Sequence, residues 1–66
     1  MSASGYVHVQ VDRIANETLK AFLCVIDGEE VWLPKSQVAD AEDYERGDTE
    51  VELSITEYIA KEKGLA

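Results

Sequence analysis

The stretch from Leu19 to Gln37 is Leu-Lys-Ala-Phe-Leu-Cys-Val-Ile-Asp-Gly-Glu-Glu-Val-Trp-Leu-Pro-Lys-Ser-Gln, and it decides the fold. Two apolar runs flank the pair Asp27-Gly28. Such a pair between apolar runs predicts a β-hairpin with a two-residue turn. Aspartate tolerates the left-handed backbone conformation and glycine adopts it freely, so we expect a type I′ turn.

The two-residue turn fixes the register of the predicted hairpin. Its cross-strand pairs are Ile26 with Glu29, Cys24 with Val31, Leu23 with Trp32, and Phe22 with Leu33. Because side chains alternate between faces, one face collects five apolar residues: Phe22, Cys24, Ile26, Val31 and Leu33. The other face carries Leu23, Val25 and Trp32 with Ala21 and Glu30. We expect the hairpin to be covered on both faces, or on one face with an apolar patch left on the other.

Two further strands are predicted outside the hairpin. Residues 6–13 alternate between valines and polar residues and predict a strand, which the turn-forming Asn16 ends within residues 14–18. Residues 49–55 alternate in the same way and predict a fourth strand.

The end of the chain predicts a short helix. Ser54 and Glu57 match a capping box, with Thr56 as an alternative N-cap. Gly64 suits the helix end, with Leu65 placed for a Schellman-type contact. The expected fold is mostly β (α+β): a small, strongly bent antiparallel sheet or SH3-like barrel of about four strands with a short C-terminal helix. An open sheet with the helix across one face is the alternative.

The 66 residues predict a single small domain over residues 6–66, preceded by a flexible terminus at residues 1–5. The single cysteine, Cys24, has no partner for an internal disulfide, and its apolar neighbours predict a buried, inert thiol. A lone cysteine and the lack of a signal peptide predict a cytoplasmic protein. No apolar run approaches the about 18 residues of a membrane span.

Charge is the strongest global signal. Fourteen acidic residues oppose six basic ones, which gives a net charge of −8. Bare nucleic acid and anionic membranes are therefore disfavoured as partners, whereas a basic protein surface would be attracted. Solubility alone is the alternative explanation of this charge.

Half of the acidic residues fall in one stretch, and Arg46 is the only base within it. We call residues 40–52 the acidic segment; its carboxylates are those of Asp40, Glu42, Asp43, Glu45, Asp48, Glu50 and Glu52. Tyr44 lies among them, either as an apolar anchor for a partner or folded back to cover the end of the expected barrel. The spacing does not fit an EF-hand loop, and no metal or other cofactor is expected.

The hairpin also resembles a known group. The stretch Val31-Trp32-Leu33-Pro34-Lys35-Ser36-Gln37 after the Asp-Gly turn, and the ending Lys63-Gly64-Leu65, are similar to a group of small phage and prophage proteins and appended domains. The resemblance covers roughly residues 19–65 and departs in the acidic segment. It implies a phage or prophage origin and a small β-rich domain, and it implies no particular activity.

Residue types favour interaction over catalysis. One histidine, one cysteine and scattered carboxylates form no triad, metal-ligand set or phosphate loop, so we expect no enzyme activity. The leading hypothesis is an acidic module in which the acidic segment, with Trp32 or Tyr44 as anchor, occupies a basic nucleic-acid-binding surface of a partner. It would then act as an inhibitor or nucleic-acid mimic, for example in counter-defence against a CRISPR-type nuclease complex.

Two other functions stay open at this point. An accessory module of phage replication or recombination would bind single-stranded nucleic acid through Trp32 and Lys35, with Lys20 nearby. A homodimer with a structural purpose would use the two-sided apolar hairpin.

Overall fold

The computed structural model describes residues 5–65. Four strands form one antiparallel sheet: β1 (Tyr6–Glu17), β2 (Ala21–Ile26), β3 (Glu29–Pro34) and β4 (Thr49–Thr56). Their order across the sheet is β3-β2-β1-β4. Two 3-10 helices, Lys35–Gln37 and Ala41–Asp43, lie between β3 and β4, and a single helix, α1 (Glu57–Glu62), follows β4. The predicted mostly β fold of four strands and a short C-terminal helix is confirmed.

The central hairpin has the predicted turn and register. Asp27 and Gly28 have φ values of 53° and 80°, as a type I′ turn requires. All four predicted cross-strand pairs between β2 and β3 are present. The alternation of faces is therefore the predicted one, because a two-residue turn leaves the register no freedom.

The sheet is open and is not curled into the SH3-like barrel or the strongly bent form that we considered. The two outer strands of the sheet, β3 and β4, lie at opposite edges and do not pair with each other. Closure is unnecessary because other elements cover the apolar face: Ile59 and Ala60 of α1 and Val38 of the connection are all buried in the core. The alternative of an open sheet with a helix packed against it therefore describes the fold better.

The main core cluster is continuous and lies on one face of the sheet, while Val25 is buried on the other face. The cluster's largest fully buried side chains are Phe22, Ile14, Leu33, Leu53, Ile55, Val11 and Cys24. Cys24 is wholly buried, as predicted, and burial raises the pKa of its thiol to about 11. A thiol that stays protonated and out of contact with water is a poor nucleophile, which agrees with the predicted inert role.

The first strand is longer than predicted. β1 continues to Glu17 with an irregularity between Ile14 and Asn16, and the turn lies at residues 18–20 instead of 14–18. A bulge absorbs the break in alternation without ending the strand. Thr18 builds the actual turn, because its hydroxyl oxygen accepts from the backbone N–H of Ala21 and its own N–H donates to the Ala21 carbonyl.

The two ends of α1 differ in how well the sequence predicts them. The alternative N-cap, Thr56, is confirmed, because its hydroxyl accepts from the backbone N–H of Ile59, and the predicted capping box that starts at Ser54 is wrong. Ser54 still belongs to β4 and bonds the His8 ring instead. The C-terminal end of α1 forms the predicted Schellman motif.

In that motif Gly64 has a φ of 73°. Leu65 donates to the Ala60 carbonyl, and its side chain packs against the core.

Part of the predicted domain boundary falls outside the described residues. Of the predicted flexible terminus, residues 1–4 are not described. Gly5, the fifth residue of that terminus, accepts a backbone hydrogen bond from Glu57, which extends the pairing of β1 with β4 by one step.

Candidate protein-interaction surface

The acidic segment runs from the second 3-10 helix into β4. Six of its seven carboxylate residues are exposed, and Asp48 is half-buried. None of the seven forms a salt bridge within residues 5–65, where the single ion pair joins Lys35 to Glu17. The segment therefore presents negative charge that no neighbouring side chain neutralises.

Asp48 has a structural role inside this segment. Its side chain accepts from the backbone N–H of Glu45 at 3.0 Å, and its carbonyl accepts from Ile14 at 2.8 Å. Gly47 donates in turn to the Ile14 carbonyl at 2.9 Å. These bonds fasten the loop to the end of β1, so Asp48 shapes the acidic segment more than it presents charge.

Glu50 adopts a backbone conformation that is unusual for its residue type. Its φ is 51°, in the left-handed region, where a residue with a long side chain is disfavoured by roughly 1–2 kcal/mol. Aspartates tolerate this conformation better, and Asp40 also adopts it with a φ of 55°. Such strain recurs at functional sites, and here it falls within the predicted binding segment.

Tyr44 folds back onto the protein. Its ring is half-buried against the core, and its hydroxyl donates to the Glu52 carbonyl at 3.2 Å. Of the two arrangements predicted for Tyr44, the structure has the one in which the ring folds back onto the sheet. Tyr44 therefore holds the acidic segment against the core and against β4.

Trp32 is the more exposed aromatic of the two candidates, with 43% of its surface accessible. It lies on β3, beside Leu23 of β2. Because β3 and β4 are separated by two strands, Trp32 is about 14 Å across the sheet from β4. The structure therefore brings Tyr44 to the backbone of Glu52 on β4, and places Trp32 at the other edge of the sheet.

A network that the sequence analysis missed holds Lys35. Its Nζ lies 2.5 Å from Glu17 Oε2 and 4.9 Å from the centre of the Phe22 ring. The other oxygen of Glu17 accepts from the backbone N–H of Arg46 at 3.0 Å. The bond from Lys35, assisted by the one from Arg46, holds the pKa of Glu17 below its ordinary value.

This network links parts of the chain that are far apart in sequence. Glu17 and Lys35 are 18 residues apart, so no local periodicity points to their contact. The registers of the two hairpins are the signal that predicts it: Glu17 pairs with Phe22, and Phe22 pairs with Leu33, two residues before Lys35.

Beside this network an open groove lies at the end of the hairpin distant from the turn. It is lined by Leu19, Lys20, Pro34, Lys35 and Ser36. Leu19 is 88% exposed. The groove combines apolar surface with two lysines, of which Lys35 is already paired with Glu17.

Residues 5–65 form neither a metal site nor a membrane-spanning helix. Among residues 5–65 no group of three or more potential ligands is placed to hold a metal ion. No helix in the described part of the chain has the length and apolar character that a membrane crossing requires. His8 is exposed on β1 and bonds Ser54 at 3.0 Å.

Comparison with known proteins adds no relative to this picture. No family model matches the chain, and no significant match is found among curated proteins or solved structures.

Proposed function

We propose that this chain is a non-enzymatic interaction module that binds the basic, nucleic-acid-binding surface of a partner protein, as an inhibitor or nucleic-acid mimic. The observation that carries the proposal is the exposure of the acidic segment without ion pairs within the described residues. Exposed carboxylates that are not neutralised attract complementary basic groups and repel nucleic acid.

The spacing of the carboxylates strengthens this attraction. Glu50 and Glu52 are two residues apart on β4, roughly 7 Å along a strand. That separation is shorter than the screening length of about 10 Å at 0.1 M salt, so their fields add. Long-range attraction of this kind mainly speeds association and selects the partner.

Affinity needs apolar contact as well. Burial of the exposed part of Trp32 would supply up to about 1.5–3 kcal/mol. Since Trp32 lies on β3, a partner that covers both Trp32 and the acidic segment contacts both edges of the sheet.

The resemblance to phage and prophage proteins gives the proposal a concrete form. A phage-encoded module of this type would act in the host cytoplasm, where Cys24 remains a free thiol. An inhibitor of a host defence complex, for example a CRISPR-type nuclease, is the form we favour.

The test is affinity capture from host lysate at low and at high salt, followed by a competition assay. We expect a nucleic-acid-binding protein to be retained at 50 mM salt and released at 500 mM, and its nucleic acid to be displaced by this chain. Capture that is insensitive to salt, or a captured protein that still binds its nucleic acid, would contradict the proposal.

One observation favours a second function. The groove beside Leu19 places Lys20 near apolar surface, and Trp32 lies on the same hairpin. A cationic side chain near apolar and aromatic surface is the combination that proteins use to bind single-stranded nucleic acid. Titration of Trp32 fluorescence with single-stranded DNA separates the two functions: quenching that weakens with salt supports the second, and no quenching supports the first.

A further inference from the structure

The two outer strands of the sheet differ in how their edges are covered. On β4, Val38 forms a bridge with Ile55, and Ala39 donates to the Ser54 carbonyl at 2.8 Å. The Tyr44 hydroxyl donates a hydrogen bond to the Glu52 carbonyl on the same edge. On β3, no other part of residues 5–65 forms a hydrogen bond with the outer edge.

The hairpin register decides which backbone groups of β3 point outward. In a two-residue hairpin the residues that flank the turn, Ile26 and Glu29, exchange both backbone hydrogen bonds. Lys35 follows the same alternation, since its N–H donates to the Lys20 carbonyl at 2.7 Å. The N–H and C=O groups of Glu30 and Trp32 therefore point away from β2.

Pro34 occupies the next outward position of β3. Because proline has no N–H, its place at this edge leaves no donor unpaired. Only the Pro34 carbonyl extends the row of outward groups.

The side chains at this edge form a short pattern. Glu30 and Trp32 are both exposed and are two residues apart, so both lie on the face of the sheet opposite the core. Leu23 extends the apolar surface of Trp32 on β2. A strand added at this edge would therefore contact the Glu30 carboxylate and the Trp32 ring. It would also find the outward N–H and C=O groups of both residues.

We propose that the outer edge of β3 binds an extended, basic segment of a partner protein as a fifth, antiparallel strand. An apolar residue of that segment lies opposite Trp32, and a Lys or Arg two residues later lies opposite Glu30. Backbone bonds supply affinity and the alternating side chains supply selectivity, as in other cases of strand addition. This inference extends the proposed function, in which Trp32 is already an apolar anchor, because it adds backbone pairing at an edge that is distinct from the acidic segment.

The charge of this edge favours a basic segment of a partner protein over a second copy of the chain. Each copy carries a net charge of −8 and brings Glu29 and Glu30 to the same edge. Charged residues on an edge strand discourage pairing with an identical edge, whereas a cationic segment is attracted to them.

The first test uses a seven-residue peptide with isoleucine at its third position, lysine at its fifth and threonine elsewhere. In titrations followed by amide NMR shifts, we expect the largest changes at Glu30 and Trp32. N-methylation of the isoleucine amide removes the donor that faces the Trp32 carbonyl and should weaken binding about tenfold. Equal binding by the methylated peptide would overturn the inference.

The second test exchanges charge. The lysine peptide should bind about fivefold more tightly than the same peptide with glutamate at that position, and Glu30→Lys should reverse the order. Glu29→Lys is the matched control, because it changes net charge equally one residue away, on the opposite face. If Glu29→Lys reverses the order as well, general electrostatics accounts for the preference and the inference fails.

Two other outcomes would also overturn it. Shifts confined to the acidic segment would place the peptide there and would leave the proposed function untouched. Dimerisation in sedimentation equilibrium, with protected Glu30 and Trp32 amides, would mean that a second copy occupies the edge. A positive peptide result with no salt-dependent partner in lysate would refute the proposed function alone.

Discussion

At the scale of single residues, a few polar side chains hold together parts of the chain that are distant in sequence. Glu17 accepts from both Lys35 and the backbone of Arg46 and thereby ties β1 to the end of β3 and to the acidic segment. Thr56 caps α1 and also donates to Gln37. These contacts depend on the tertiary fold and are the least visible in the sequence.

The lowered pKa of Glu17 has a consequence for stability. Because the folded-state pKa lies below the unfolded value of about 4.5, Glu17 stabilises the fold above that unfolded pKa, and this contribution is lost as pH falls through the folded-state pKa. We expect Glu17→Gln to be less stable than the wild type at pH 7, with a difference that shrinks toward pH 3.

Urea unfolding at both pH values measures this difference. Glu29→Gln serves as the control, because Glu29 is exposed and its carboxylate has no ion pair in the described residues. A deficit of Glu17→Gln that is the same at both pH values would show that the charge of Glu17 does not matter.

The helix cap gives a second test at this scale. Thr56→Ala removes the acceptor for the Ile59 N–H and should lower the free energy of unfolding by about 1 kcal/mol. Ser54→Ala removes only an exposed contact with His8 and should cost less than about 0.5 kcal/mol. Urea midpoints that rank the two variants in the opposite order would restore Ser54 as the cap.

At the scale of elements, local chemistry explains which parts of the fold were predictable. Asp27-Gly28 fixes the β2–β3 register from the turn alone, and Gly64 fixes the end of α1 in the same local way. The end of β1 was not predictable, because Asn16 has the composition of a turn residue and becomes strand only through a bulge and pairing with β2. The position of Tyr44 likewise depends on an edge that only the complete sheet creates.

The register of β3 predicts an alternating pattern of hydrogen exchange. Val31 and Leu33 bond β2 and should be protected, whereas the outward amides of Glu30 and Trp32 should exchange at least about tenfold faster. Amide exchange followed by NMR measures all four residues in one experiment. Uniform protection along β3 would mean that the edge is covered in solution.

At the scale of the whole molecule, stability and the proposed function depend on different parts of the chain. A chain this small buries a modest share of its surface, and one continuous core on a single face of the sheet provides most of its stability. The seven carboxylates of the acidic segment contribute little to that core, apart from the turn that Asp48 builds. Their concentration in one stretch is the feature that the proposed function explains.

The role of the acidic segment in binding is measured most directly by the affinity of the captured partner for three forms of the chain. These are the wild type, Glu50→Gln with Glu52→Gln, and a control with the same net charge, Glu29→Gln with Glu62→Gln. We expect loss of the two β4 carboxylates to weaken binding at least about tenfold at low salt, while the control changes binding less than about threefold. Equal weakening by both double variants, or by neither, would contradict it.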